Sequence, residues 1–184
     1  MSQLKVVIVS GNLGAPSKTL ALGEQIVEAI GQLSAVAVET HQLAELAPAI
    51  GPARHPGELN ETGQAALRSI AAADILVAVT PVYKGSYTGL FKHLFDFIDP
   101  KALTEVPVIL GATGGGDKHA LIIEHQLRPL FGFFGANTAP AGIYATEAHY
   151  DGRRFTEPVV LERIAAAARQ AVALARARQT PIAA

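Results

Sequence analysis

Apolar and polar residues follow one another along this chain in blocks that predict alternating strands and helices. The first apolar run, residues 6–9, is β-branched and uninterrupted, which is typical of a parallel strand buried on both faces. After a loop over residues 11–16, apolar residues recur at helical spacing from Leu20 to Ile30, and Ser17 stands where an N-cap is expected. This strand and helix form a first βα unit.

Four similar units follow in the pattern. The other predicted strands cover residues 34–42, 75–80, 106–110 and 139–145, and the other predicted helices cover 61–73, 90–98, 118–131 and 158–178. The stretch 48–57 contains prolines and glycines and predicts a loop. Alternating βα units predict an α/β three-layer sandwich around a five-stranded parallel sheet. The first, third and fourth strands are the most apolar, which favours the order 2-1-3-4-5.

Size and composition narrow the classes of function. With 184 residues, of which 49% are hydrophobic, the chain predicts one domain over residues 1–184 without a linker. A net charge of −1 gives no electrostatic reason to expect binding to nucleic acid or to an anionic membrane. The chain has no cysteine and no close pair of histidines with metal-ligand spacing, so no metal site is expected. Without a signal-peptide pattern or a spanning apolar stretch, we expect a cytoplasmic protein with small molecules or proteins as partners.

The first predicted loop, residues 11–19, places hydroxyls and amides at a helix N-terminus. Ser17 and Thr19 can donate hydrogen bonds, Lys18 adds positive charge, and the helix dipole favours an anion. The glycines Gly11 and Gly14 match neither a Walker A motif nor a complete dinucleotide fingerprint, so a monophosphate is the better ligand. An ordinary capped turn is the alternative.

The second loop, residues 80–87, follows the third strand. Pro81 stiffens its backbone, Gly85 permits close approach, and Tyr83 offers an aromatic wall for a planar heterocycle such as a flavin ring. A surface turn with a packed tyrosine is the alternative. The third loop, residues 112–119, contains Gly114-Gly115-Gly116, whose backbone can lie against a ligand and donate N–H groups. All three loops follow strands whose carboxyl ends meet at one crevice.

These three segments, at residues 11–20, 80–86 and 113–119, resemble the NAD(P)H-dependent FMN reductase family over almost the whole chain. The chain is most similar to the reductases of bacterial two-component alkanesulfonate and methanesulfonate monooxygenase systems. The resemblance implies a flavodoxin-like fold. It implies a phosphate site at Ser10, Ser17, Lys18, Thr19 and Leu20. It implies a site for the flavin ring at Pro81, Val82, Tyr83, Lys84, Gly85, Ser86, Thr113, Gly114 and Gly115, and it places His119 among the cofactor-binding residues.

One departure from the family concerns the phosphate. The family often has serine and arginine early in the first loop, where this chain has Asn12 and Gly14. Compensation of the phosphate charge therefore falls mainly on Lys18 and backbone amides.

The resemblance also implies the activity: reduction of FMN to FMNH2 by NADH or NADPH, with reduced flavin passed to a separate monooxygenase in sulfonate sulfur assimilation. Hydride transfer from nicotinamide to flavin N5 needs stacked rings and donors near N1 and O2, so no side chain is predicted as a catalytic acid or base. Two alternatives stay open, an FMN-containing quinone or azo reductase and a flavodoxin-type electron carrier. A signalling receiver would need an aspartate where Thr80 stands.

The predicted fourth helix contains Pro129, which cannot donate to the carbonyl of His125. Glu124 and Arg128 can still pair at i, i+4. Helix physics alone favours a simple kink with His125 exposed over a π-helical turn, because π-helix is rare. The resemblance favours the π-helix and implies that His125 reaches a neighbouring subunit of a homodimer or homotetramer and links assembly to flavin release.

A second candidate for a subunit contact lies in the predicted third helix. Leu90, Phe91, Leu94 and Phe95 form an apolar stripe that suits either a subunit interface or packing on the sheet.

Overall fold

Parallel strands and surrounding helices make up the part of the chain that the computed structural model describes, residues 3–179. The ends of the predicted domain, residues 1–2 and 180–184, lie outside it. The strands are β1 (Leu4–Ser10), β2 (Val36–Gln42), β3 (Ile75–Pro81), β4 (Pro107–Gly114), β5 (Asn137–Thr138) and β6 (Ile143–Thr146). The α-helices are α1 (Lys18–Gly31), α2 (Leu43–Ile50), α3 (Glu61–Ala71), α4 (Gly89–Asp96), α5 (Arg128–Phe133) and α6 (Pro158–Gln179). Short 3₁₀ turns cover Pro56–Glu58, Asp117–His119 and Glu147–His149.

The sheet has the order β2-β1-β3-β4-β5, with β6 also paired to β4, and every pairing is parallel. The predicted fold class and strand order are confirmed. The predicted fifth strand, 139–145, begins too early: β6 starts only at Ile143, because Pro140 has no N–H to donate to β4, and the two-residue β5 precedes the predicted range. The sixth strand is therefore a minor addition.

Two apolar cores lie on opposite faces of the sheet because side chains alternate along each strand. On β1, Val6 and Ile8 face the core that contains α1 and α6, whereas Val7 and Val9 face the core that contains α2, α3 and α4. The α4 stripe belongs to this second core, since Phe91, Leu94 and Phe95 are buried within the chain. Packing on the sheet explains this stripe without a subunit interface.

The predicted loop 48–57 begins too early. Helix α2 continues to Ile50 and includes Pro48, because Leu43, Leu46 and Ile50 recur at helical spacing and are buried against the sheet. Pro48 is exposed and lies near the end of an eight-residue helix, so it removes one backbone hydrogen bond without interrupting a longer element.

A π-helical turn at Ile123–Leu127 precedes α5, as the resemblance predicted and helix physics alone did not. The N–H of Arg128 donates to the carbonyl of Ile123, five residues back, and this wider turn accommodates Pro129. The predicted Glu124–Arg128 pair is present, with Nε donating to Oε2 at 2.6 Å. His125 is exposed on this turn. Among the helices of residues 3–179, none is both long enough and apolar enough to cross a membrane.

Candidate active site

A cleft of about 440 Å³ opens at the carboxyl edge of the sheet, between the loops that follow β1, β3, β4 and β6. Its volume falls in the range typical of small-molecule sites. The described residues that line it are Asn12, Leu13, Gly14, Ala15, Pro16, Ser17, Lys18, Thr19, Pro81, Val82, Tyr83, Thr113, Gly114, Gly115, Thr146, Glu147 and Phe155. The cleft lies where the strand order 2-1-3-4 reverses direction, which is where ligands bind in such sheets.

The first loop ends at a capped helix. Ser17 Oγ accepts the N–H of Leu20 at 3.1 Å, so this predicted N-cap is confirmed and the Leu20 amide is already bonded. The first backbone bond of α1 runs from the N–H of Ala21 to the carbonyl of Ser17. The amides of Lys18 and Thr19 precede that bond, so the helix itself offers them no acceptor, and such helix-terminal donors favour an anion.

Two buried polar atoms where β1 meets the first loop have no hydrogen-bond partner among the described residues: Ser10 Oγ, at the end of the strand, and Asn12 Oδ1, in the loop. A buried polar atom without a partner costs free energy. The other end of the Asn12 amide is bonded, since Nδ2 donates to the carbonyl of Gly14 at 3.0 Å. A ligand with both acceptor oxygens and hydroxyl donors, such as the ribityl phosphate arm of FMN, suits this loop.

Hydrogen bonds between the loops hold the cleft in shape. Thr88 Oγ1 donates to the carbonyl of Gly11 at 3.1 Å and links the second loop to the first. The N–H of Val82 donates to the carbonyl of Thr113 at 2.8 Å and links the second loop to β4. The buried hydroxyls of Thr19 and Thr113 bond each other at 2.6 Å and link α1 to the same strand. The three predicted loops therefore form one connected rim.

The second loop turns back on itself between Tyr83 and Ser86, which exchange two backbone hydrogen bonds. Its central residues, Lys84 and Gly85, have φ values of 52° and 84°, as in a type I′ turn. Gly85 was predicted to permit close approach of a ligand. No atom lies within 4 Å of a Cβ at this position, so within the chain it is the positive φ, rather than lack of space, that favours glycine here. Tyr83 is 51% exposed on the cleft, so its ring is free to contact a planar ligand.

The second loop also contacts the π-helical turn. Ser86 Oγ donates to Gln126 Oε1 at 3.1 Å, across 40 residues of sequence. The widened turn therefore touches a loop that forms one wall of the cleft.

The glycines of the third loop serve different purposes. A Cβ at Gly114 would lie 2.2 Å from the hydroxyl of Tyr144, so any side chain there would have to displace this hydroxyl. No atom lies within 4 Å of a Cβ at Gly115 or Gly116, so their backbone is open to a ligand. Tyr144 donates to the carbonyl of Gly116 at 2.6 Å, and burial together with the Asp117 charge raises the pKa of the phenol. The protonated phenol thus supports the loop from behind.

Among the described residues that line the cleft, only two are charged, and they form an ion pair with each other. Lys18 Nζ lies 2.5 Å from Glu147 Oε1, with both side chains largely exposed. The hydrogen bond from Lys18 and its positive charge lower the pKa of Glu147, so the carboxylate is ionised at neutral pH. The lysine that was predicted to compensate a phosphate already has a carboxylate partner.

The predicted site residues separate into two groups. Those that line the cleft are Ser17, Lys18, Thr19, Pro81, Val82, Tyr83, Thr113, Gly114 and Gly115. Those outside its lining are Ser10, Leu20, Lys84, Gly85, Ser86 and His119. Ser10 is fully buried at the end of β1, and His119 is half-buried in the 3₁₀ turn behind the glycines.

The fourth wall of the cleft was not predicted. Thr146 ends β6 and Glu147 follows it, and Phe155 also lines the cleft while its N–H donates to the Gln25 amide oxygen at 2.7 Å. The sequence contained a signal for this wall. All parallel strands end at the same edge of the sheet, and the last strand was predicted to end at residue 145. The residues after that strand therefore belong to the same cleft.

Comparison with known proteins identifies a consistent set of relatives. The family model described as NADPH-dependent FMN reductase matches residues 4–151. The NADH-dependent FMN reductase SfnF of Pseudomonas putida is 46% identical over 164 residues, which cover 89% of this chain and 88% of SfnF. An FMN reductase (NADPH) of Pseudomonas aeruginosa is 44% identical over 173 residues, covering 94% of this chain and 93% of that protein.

A solved structure also resembles this chain in both fold and sequence. The X-ray structure of an oxidoreductase from Corynebacterium diphtheriae superimposes with a TM-score of 0.83 at 31% identity, covering 95% of this chain and 98% of that one.

Proposed function

This chain belongs to the NADPH-dependent FMN reductase family, and we propose on that premise that it reduces FMN with NADH or NADPH and releases FMNH2 to a separate monooxygenase. The predicted family and the predicted class, an NAD(P)H:FMN oxidoreductase, are confirmed by the matches above. We further propose that the chain is a single cytoplasmic domain, and that the monooxygenase it supplies with FMNH2 acts in sulfonate sulfur assimilation. The resemblance to the two-component reductases supports it.

The observation that supports the proposal is that one cleft combines groups suited to an anion with surfaces suited to a planar ring. The lining includes the α1 N-terminus with Ser17 and Lys18, and it also includes the exposed ring of Tyr83 and the open backbone of Gly115. A phosphate suits the α1 N-terminus because helix-terminal amides and a lysine favour an anion. A planar ring system suits Tyr83 and Gly115, because an aromatic face and bare backbone both present flat contact surface.

The reaction in this cleft is a hydride transfer. NAD(P)H gives a hydride to N5 of FMN, a proton completes FMNH2, and NAD(P)⁺ is the other product. Catalysis by stacking and orientation requires no side-chain acid or base. The chain's own part is to hold the phosphate at α1, to keep the second and third loops at fixed spacing through Val82 and Thr113, and to leave room beside Tyr83 for the nicotinamide.

The test is steady-state oxidation of NADH and of NADPH by purified protein, with and without added FMN. We expect turnover that depends on added FMN, and protein that loses flavin on dialysis. Protein that stays fully flavinated and reduces quinones by a ping-pong mechanism would establish the quinone reductase instead. Bound FMN without any oxidation of NAD(P)H would establish an electron carrier.

We also propose that the chain assembles as a homodimer or homotetramer through the segment around His125. The support is that His125 is exposed on the π-helical turn, and that Leu121 and Phe133 are 62% and 71% exposed on the same segment. Deletion of His125 restores regular helical phase before Pro129. We expect loss of oligomeric mass in light scattering, greater retention of FMN and lower turnover with free FMN, and unchanged values of all three would overturn the role of His125.

A further inference from the structure

The only cation among the described cleft-lining residues is Lys18, and it forms an ion pair with Glu147 from the loop after β6. Lys18 begins α1 after the first loop, whereas Glu147 begins the turn after β6, 129 residues later. The two charges cancel, so the side chains lining the cleft present no net positive charge to an incoming anion.

This arrangement is poorly suited to tight retention of a phosphate. Charge-assisted hydrogen bonds from a free ammonium are among the strong contacts to a phosphate. Here an anion that bonds Lys18 must displace the carboxylate of Glu147 or share the ammonium with it. In either case the ionised carboxylate lies beside the anion, and like charges at close range repel.

We propose that Glu147 limits the affinity of the cleft for the phosphate of FMN by competing for Lys18, so that FMN binds and leaves as a substrate. The inference rests on the proposed function of the cleft. It assigns to Glu147 a specificity role rather than a catalytic one, because the residue acts on the phosphate arm and not on the reacting ring. The effect depends on the phosphate group, so riboflavin, which lacks it, is unaffected.

The experiment compares Glu147→Gln with the wild-type chain in binding FMN and riboflavin, using quenching of flavin fluorescence. Glutamine keeps the size and the polar end of the side chain and removes only the charge. At low salt we expect the Kd for FMN to fall about tenfold, with slower FMN dissociation in stopped flow, and the Kd for riboflavin to stay within about twofold. Because screening weakens exposed charges, the gain for FMN shrinks at high salt.

Two control variants isolate the charge at this position. Glu28→Gln breaks a comparable exposed ion pair, Glu28 with Arg154 at 3.3 Å, on the same helix as Lys18. Glu28 lies ten residues further along α1, roughly 15 Å away by the helical rise, where its charge acts on a phosphate at Lys18 far more weakly than a charge in contact with Lys18. Glu28→Gln should therefore leave both Kd values within about twofold of wild type. Glu147→Asp keeps the charge and should leave the Kd for FMN within about threefold of wild type.

The outcomes separate the inference from the proposed function. A wild-type chain that binds no FMN would overturn the proposed function itself. A wild-type chain that binds FMN, with an unchanged or weaker FMN affinity in Glu147→Gln, would overturn the role of Glu147. Equal tightening for FMN and riboflavin, or equal tightening by Glu147→Asp, would also overturn it, because the cause would then be side-chain shape rather than charge.

Discussion

The two sides of the cleft are held in place by different physical means. The first loop is held by directed hydrogen bonds, from Thr88 to the Gly11 carbonyl and from the Asn12 amide to the Gly14 carbonyl. The glycine loop also has a hydrogen bond, from Tyr144 to the Gly116 carbonyl, but its distinguishing feature is close packing, since the Tyr144 hydroxyl occupies the space of a side chain at Gly114. A hydrogen-bonded wall is sensitive to the removal of a polar atom, whereas a packed wall is sensitive to the addition of a carbon atom. We therefore expect loss of a polar atom to destabilise the first loop most, and addition of a carbon atom to destabilise the glycine loop most.

The largest effect is expected from Gly114→Ala, which breaks the packed side. The added Cβ would lie 2.2 Å from the Tyr144 hydroxyl, so the loop or the tyrosine must move. We expect a loss of about 1–3 kcal/mol in the free energy of unfolding and weaker FMN binding. Denaturant unfolding and flavin titration measure both.

Two variants test the cause of that loss. Gly115→Ala meets no atom within 4 Å and should leave the unfolding free energy within about 0.5 kcal/mol of wild type. Tyr144→Phe removes the nearest atom together with its hydrogen bond to Gly116, so in that background Gly114→Ala should cost less stability than it does in the wild-type chain. Equal destabilisation by the two glycine variants would contradict the packing explanation.

The next largest effect is expected from Thr19→Val, which breaks the hydrogen-bonded side. The substitution leaves the buried Thr113 hydroxyl without its partner at 2.6 Å. We expect a loss of about 1–2 kcal/mol in unfolding free energy, measured by denaturant titration. Thr19→Ser keeps the hydroxyl and should be less destabilising than Thr19→Val; the reverse order would show that the methyl group matters more than the hydrogen bond.

A smaller effect is expected where the second loop meets the π-helical turn. Gln126→Ala removes the acceptor of the Ser86 hydroxyl at 3.1 Å. We expect the Kd for FMN to rise about two- to fivefold, with less than about 1 kcal/mol lost in stability, because one partly exposed hydrogen bond contributes little. Ser86→Ala should reproduce the change, and the double variant should add nothing to it. Fully additive effects would mean that the two side chains act independently.

The smallest effect is expected from an exposed contact outside both sides, Glu124 with Arg128. The hydrogen bond from Arg128 holds the pKa of Glu124 below its ordinary value of 4.5. The pair therefore stabilises the folded chain above that value, and the contribution disappears as the pH falls through the lowered pKa. Melting temperatures across acidic pH should fall slightly less steeply for Glu124→Gln than for wild type. A steeper fall in the variant would reverse the predicted sign.

The two prolines within helical segments show that a local sequence pattern is not sufficient to predict where a helix ends. Pro48 and Pro129 both suggested breaks, yet α2 continues past Pro48 and a π-helical turn precedes Pro129. Burial of Leu43 and Ile50 outweighs one lost hydrogen bond in α2. The π-helical turn packs closely on Gly142, where a Cβ would lie 2.3 Å from Ile123. Local sequence alone does not reveal such a contact.

The Arg128 side chain adds a second long-range restraint on the π-helical turn. It donates to the Thr138 hydroxyl at 2.8 Å and to the carbonyls of Ala139 and Pro140 at 3.1 and 3.3 Å. These acceptors lie on β5 and just after it. The turn is thereby fixed to the edge of the sheet next to β4.

Sequence by itself determined the βα alternation, the order of the central strands, the cap at Ser17 and the three loops after β1, β3 and β4. The strands, helices and cap follow from residue patterns over short stretches of chain, and the strand order and the position of the loops follow from general rules for parallel βα sheets. Tertiary structure alone decided the pairing of Lys18 with Glu147, the bond between Thr19 and Thr113, and the close approach of Tyr144 to Gly114. Each joins residues at least 30 positions apart. Contacts over such separations depend on how the whole sheet brings its loops together.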